Sequence, residues 1–343
     1  MTTRFRSTLV SAAAAALVLP FLAALVGAAP AQGSSPRPHG VAMYKVEKHV
    51  DLSGEIPDNF VDTTLSCYGG DDVLDGMWRV DHVDQADPPA TNGDERDVYV
   101  SASYGDAANP GLWHYRITNY ADGDAQLKLF LTCIRGQVDR AWGHTHDIVL
   151  SDQKSTTWSN MQTGTGVQVV FNSSFCQAGQ LAVAPGFNLS DDVHRLRVVS
   201  SYNAIDLLTW RWGFIVTDSG ADLVLSQRCL QVKTAAGGNG PHAHNLLNAR
   251  RPAGDAWVGE SLTSGPQEVR ISCDDGVDGK RYQDYKAMMA TFYLDNPSHS
   301  WFLGMDPRPK SRAYKLWWDG SGTNGAYLST LCIRTTTGKQ IAP

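Results

Sequence analysis

Beyond its N-terminal thirty residues or so the chain has no apolar run of the roughly 20 residues that a membrane helix needs. Basic charge is also in short supply, with 29 Lys and Arg against 35 Asp and Glu. Binding to nucleic acid relies on a basic stripe, and none is present, so no nucleic-acid partner is expected. Few windows carry an apolar period of 3.6, which argues against a helical bundle. The G-x-S-x-G elbow, the H-E-x-x-H helix, the phosphate loop and the dinucleotide fingerprint are all missing, and with them the local signatures of several enzyme classes.

What the chain does have begins with "MTTRFRSTLVSAAAAALVLPFLAALVGAAPAQG". Arg4 and Arg6, a long Ala/Leu/Val run, and small residues at Ala29 and Ala31 form the three-part layout of a secretory signal peptide, with cleavage expected after Ala31. An uncleaved anchor is the alternative, although Pro20 interrupts the run. The expectation is a secreted protein, extracellular or at the cell surface, with no membrane span once residues 1–31 are removed. Loss of the two arginines takes the net charge from −6 to −8.

Six cysteines stand at 67, 133, 176, 229, 273 and 332, all in the exported part. The first of each successive pair opens the same motif: "CYGG" at Cys67, "CQAG" at Cys176 and "CDDG" at Cys273, so a glycine follows three residues later at Gly70, Gly179 and Gly276. Alternating stretches such as "VQVVFNSSFC" and "EVRISC" precede them, with the period of a half-buried strand. The second cysteine of each pair ends a segment in which a tryptophan lies six residues before Asn or Asp: Trp113 and Asn119, Trp212 and Asp218, Trp318 and Asn324. Turn residues and a second alternating run then lead to the cysteine, which is the layout of a β-hairpin. The recurrence predicts disulfides Cys67–Cys133, Cys176–Cys229 and Cys273–Cys332, one per module and none between modules.

Histidines mark the start of each module: His39 in "PHGVAMYKV", His144 and His146 in "GHTHDIVLS", His242 and His244 in "GPHAHNLLN". The reading is all-β, with three tandem antiparallel β-sandwich or small-barrel modules over 32–140, 141–238 and 239–343, each holding one disulfide. "KRYQDYKAMMATFYL", Lys280 to Leu294, reads as strand as easily as helix. The repeat resembles secreted bacterial multi-module β proteins built from a CxxG opening, a W-x5-N hairpin, a closing Cys and a Gly-His-X-His strand. That resemblance implies the modular layout and export, and it carries no established activity.

The hairpin tryptophans suit core packing beside the disulfide or an exposed ligand platform. Trp317 and Trp318 are neighbours on one strand, so one of them must face away from the core and is a candidate ligand contact. The pairs His144/His146 and His242/His244 are candidate zinc or copper ligands. No third ligand recurs at constant spacing, so a strand-edge or packing role is favoured and no cofactor is expected. The acidic run "DDVLDGMWRVDHVD", with Asp71, Asp72, Asp75, Asp81 and Asp84, does not match a calcium loop and reads as solvated turn carboxylates. The shared residues are structural ones, with no obvious acid or base. The sequence thus favours a non-catalytic binding or structural protein that meets a cell-envelope, glycan or protein surface, several copies of the module adding avidity. The alternative is a metal-dependent or glycan-active extracellular enzyme using the histidine strands or acidic loops.

Overall fold

The computed structural model describes residues 40–54, 60–83, 95–121, 123–138, 144–161, 169–190, 195–216, 220–234, 244–251, 258–262, 265–273, 285–294, 297, 299–320 and 324–335. The proposed signal segment 1–31, His39, Asp84, Asp218, His242 and Gly276 lie outside them. No α-helix occurs among the described residues, and no helix is long and apolar enough to cross a membrane.

The first repeat contributes β1 (Met43–Leu52), β2 (Phe60–Ser66), β3 (Asp72–Val83), β4 (Val98–Gly105), β5 (Leu112–Asn119) and β6 (Ala125–Ile134). The second contributes β7 (Lys154–Met161), β8 (Val169–Asn172), β9 (Gln180–Leu189), β10 (Leu196–Asn203), β11 (Trp210–Val216) and β12 (Ala221–Gln231). The third contributes β13 (Leu246–Arg251), β14 (Val258–Leu262), β15 (Gly265–Ser272), β16 (Lys286–Leu294), β17 (Ser300–Arg308), β18 (Ala313–Gly320) and β19 (Asn324–Thr335).

Three antiparallel sheets result, in the orders β1-β6-β3-β17-β18-β15, β2-β5-β4-β9-β12-β7 and β13-β19-β16-β10-β11-β8, with β14 added on β19. Each repeat places its first, sixth and third strands in one sheet and its second, fifth and fourth in another; β14 is an extra strand in the third repeat. Every sheet is therefore shared by two repeats. The joints are β3–β17, β4–β9 and β10–β16, always a third strand against a neighbour's fourth. Residues 38–343 form one compact unit, in which main-chain pairing ties neighbouring repeats together. One hydrophobic core contains residues of all three repeats.

The fourth strands carry their β-bulge at equivalent places, between Val100 and Ala102, Val198 and Ser200, and Phe302 and Gly304. A bulge bends a strand and increases its twist, and each of these lies beside the joint where the strand meets another repeat. At one joint the approach is close enough to require glycine. Gly304 has φ +136°, and a Cβ there would lie 2.0 Å from the carbonyl oxygen of Trp78.

Burial alternates along β5, which lies beside an edge strand, and is continuous along β16 at a joint. In β5, Trp113, Tyr115 and Ile117 are buried while His114 and Arg116 face outward. In β16 residues Ala287 to Phe292 are all buried, because both faces of this strand are covered. Covering of both faces removes the period of two and leaves the local pattern of "KAMMATFYL" ambiguous between strand and helix.

The disulfides Cys67–Cys133, Cys176–Cys229 and Cys273–Cys332 each join the end of a second strand to a sixth-type strand, and so staple two different sheets within one repeat. The CxxG turn beside them closes through Asp71 N–H to Tyr68 O and through Gln180 N–H to Gln177 O. Gly70 and Gly179 sit there at φ +86° and +85°, a left-handed conformation that side chains with a Cβ resist.

Backbone hydrogen bonds also set which aromatic residues correspond. Cys67, Cys176 and Cys273 donate to Gly111 O, Leu208 O and Arg312 O, so the residues two further on, Trp113, Trp210 and Tyr314, are equivalent. The W-x5-N spacing had instead grouped Trp113 with Trp212 and Trp318. Trp113 Nε1 donates to Ser103 Oγ and Trp210 Nε1 to Ser201 Oγ, both at 2.9 Å, which supports the corrected register. Trp212 and Trp318 belong to a central aromatic chain. Trp78 meets Phe187 and Phe302 edge-on at 5.9 and 5.8 Å; Phe187 continues to Trp212 at 5.0 Å, and Phe292 stacks on Phe302 at 4.0 Å. All three repeats contribute to this chain.

Candidate functional site

The histidine segments are positioned by the chain that follows each closing cysteine. After Cys133 the backbone turns back on itself: Val138 N–H donates to His146 O and Ile148 N–H to Gly136 O. After Cys229 the same pattern recurs, with Thr234 N–H donating to His244 O and Leu246 N–H to Val232 O. The segment at Ser151 also pairs with the end of β12, through Ser151 N–H to Cys229 O and Gln231 N–H to Val149 O. The two equivalent hairpins are thereby laid side by side.

The result is one cluster of three imidazoles from two repeats. His144 and His146 stand with ring centroids 5.0 Å apart and His146 and His244 with theirs 4.6 Å apart, both edge to face. One ring nitrogen from each of His144, His146 and His244 lies within 4.8 Å of the others. His146 and His244 are buried, at 0% and 3% exposure, and His144 is half-buried. The third imidazole of the cluster, His244, comes from the next repeat.

A second feature is a groove of about 410 Å³ on the outer face of β2, β5 and β4. Cross-strand pairing builds it in two rows, Asp62–Arg116–Ala102 and Thr64–His114–Tyr104. The rings of Tyr104 and His114 stack with centroids 5.0 Å apart. Arg116 Nε donates to Asp62 Oδ1 at 2.9 Å, and its guanidinium lies over the Phe60 ring. Asp106 holds His114 at 3.1 Å; that contact and the amides of Asn109 and Ala108 keep the Asp106 carboxylate below its usual range. The corresponding positions of the other sheets carry Tyr202 with Arg211 and Asp306 with Lys315. The three outer faces are therefore chemically different.

The remaining candidates are occupied in structural roles. Trp318 is buried in the aromatic core, and Trp317, half-buried, lies under Arg79 with the guanidinium 4.4 Å from the ring centre. The acidic run is dispersed: Asp71 accepts from Tyr44, Asp81 pairs with Lys128 and Arg79, and Asp75 is buried in the core. Where β4, β10 and β17 meet, Arg96 and Arg197 lie over the Trp301 ring at 4.0 and 4.7 Å. The cavity beside them, about 30 Å³, is of the size of a single water site.

No protein-family model matches the chain, and no curated protein matches it.

Proposed function

We propose that this is an exported, non-catalytic protein that binds a carbohydrate chain of the cell envelope or its surroundings on the outer face of β2, β5 and β4. The observation that carries this reading is the groove lined by Tyr104, His114, Asp62, Arg116, Thr63 and Thr64. Sugars present apolar C–H faces and a rim of hydroxyls, and the groove offers a stacked aromatic platform beside a carboxylate, a guanidinium and hydroxyl groups. Three repeats fused through shared sheets and stapled by disulfides make a rigid support for such a surface. The signal-like N-terminus, the disulfides and the resemblance to secreted bacterial β proteins support export and action outside the cell.

Retention of the whole mature chain on insoluble envelope polysaccharide is the test. Tyr104→Ala and His114→Ala are expected to reduce retention by about tenfold or more, as loss of central aromatic contacts does. Unchanged retention in both variants would remove the groove as the binding face, and steady turnover of a glycan would replace binding with catalysis.

A further inference from the structure

We propose that His144, His146 and His244 bind one divalent transition-metal ion of the zinc or copper class, which ties the hairpin after the first repeat to the hairpin after the second. The proposal stands apart from the carbohydrate reading, since the groove uses none of these residues.

The donor chemistry selects the class of ion. Neutral imidazole presents a lone pair on one ring nitrogen, and a set of three imidazoles suits zinc and copper rather than calcium or magnesium. Three protein ligands with a fourth position open is a common zinc arrangement. His144 is half-buried, while the other two histidines are enclosed.

The geometry is near that of a site. Ligands about 2.0–2.1 Å from a tetrahedral zinc are about 3.3–3.4 Å from one another. The ligand nitrogens here lie within 4.8 Å, so the rings must close by at most about 1.5 Å, a movement available to ring rotation with the backbone still. The backbone is held: His146 accepts from Val138 N–H, and His244 both donates its N–H to Thr234 Oγ1 and accepts from Thr234 N–H.

Packing alone is a weaker explanation. Leucine or phenylalanine would fill the same volume at both buried positions. Two repeats also place a histidine at the same structural position, His146 and His244, and the chain path brings those two into contact. An ion at this point would link segments that precede different repeats, and it would bind the folded chain in preference to the unfolded one, because His244 lies 98 residues beyond His146.

The experiment uses the full mature chain without an added histidine tag, treated with chelator, dialysed and titrated calorimetrically with zinc chloride and separately with copper sulfate. One equivalent of saturable binding is expected for at least one ion, together with a thermal midpoint that rises with its concentration. A His146→Gln, His244→Gln variant should lose about tenfold or more in affinity. Should that variant fail to fold, His144→Gln at the half-exposed position is the substitute, with X-ray absorption of the loaded wild type expected to show a shell of imidazole nitrogens. Absence of saturable binding with either ion overturns the proposal, and so does equal affinity in a folded variant. A Tyr104→Ala chain that loses carbohydrate but keeps its metal separates this site from the groove.

Discussion

Asp75 of β3 lies fully buried near the hydroxyl of Tyr314 on β18, so a carboxyl of the first repeat meets a phenol of the third inside the core. Burial raises the pKa of Asp75 well above the carboxylate range, outweighing Tyr314 and the Gly76 backbone, which favour the anion. The Tyr314 hydroxyl also lies 2.7 Å from Met288 O and 2.9 Å from Thr132 Oγ1.

A carboxyl protonated in the folded chain and ionised in the unfolded one makes stability fall as pH rises above the unfolded pKa, near 4. Asp75→Asn removes that contribution and is expected to stabilise the protein at pH 7 by about 1–3 kcal/mol, with the advantage shrinking towards pH 4. Glu47, Asp81 and Asp106 have depressed pKa values and act in the opposite direction, losing their contribution as pH falls. The comparison is therefore the difference between variant and wild-type denaturation at each pH. A difference that does not change with pH would mean that Asp75 is ionised in the fold.

Gly304→Ala tests the joint between the first and third repeats. Its Cβ would collide with the Trp78 carbonyl at 2.0 Å, and φ +136° is unfavourable for alanine in any surroundings. A loss of about 3 kcal/mol or more is expected in chemical denaturation, since strand separation and backbone strain combine. A loss below about 1 kcal/mol would show that β17 can shift without disturbing β3.

Removal of one disulfide tests whether the repeats unfold together. Cys176→Ser with Cys229→Ser opens a loop of 53 residues, worth about 4 kcal/mol in the chain-entropy model. With the sheets shared, fluorescence and far-ultraviolet circular dichroism should still report one coincident transition at lower denaturant. Separate transitions, with two-thirds of the signal unmoved, would mean that each repeat folds alone.

Much of this architecture is legible locally. Alternation in "LWHYRITN" marks β5, and the CxxG glycine announces a turn whose left-handed residue is seen at Gly70 and Gly179. Recurrence of that motif with a closing cysteine points to one disulfide in each repeat. Asp75 was legible only as one of several acids, because its burial is created by Tyr314 and other residues remote in sequence. Trp212 and Trp318 matched Trp113 by spacing, yet a hairpin arm can slide in register while its cysteines stay fixed, and only the backbone hydrogen bonds reveal Trp210 and Tyr314 as the equivalents.

The amino-acid sequence by itself determined the all-β class, the threefold repeat and the cysteine partners, because periodicity, turn chemistry and spacing are properties of short segments. Tertiary structure decided how the repeats join. The β3–β17 joint pairs Arg79 with Gly304 and depends on surfaces brought together from opposite ends of the chain. The meeting of His146 with His244 is of the same kind: each hairpin is encoded locally, but their contact exists only once β12 has paired with the segment entering the second repeat. Contacts between distant segments follow from the closing of the sheets, and no local pattern records them.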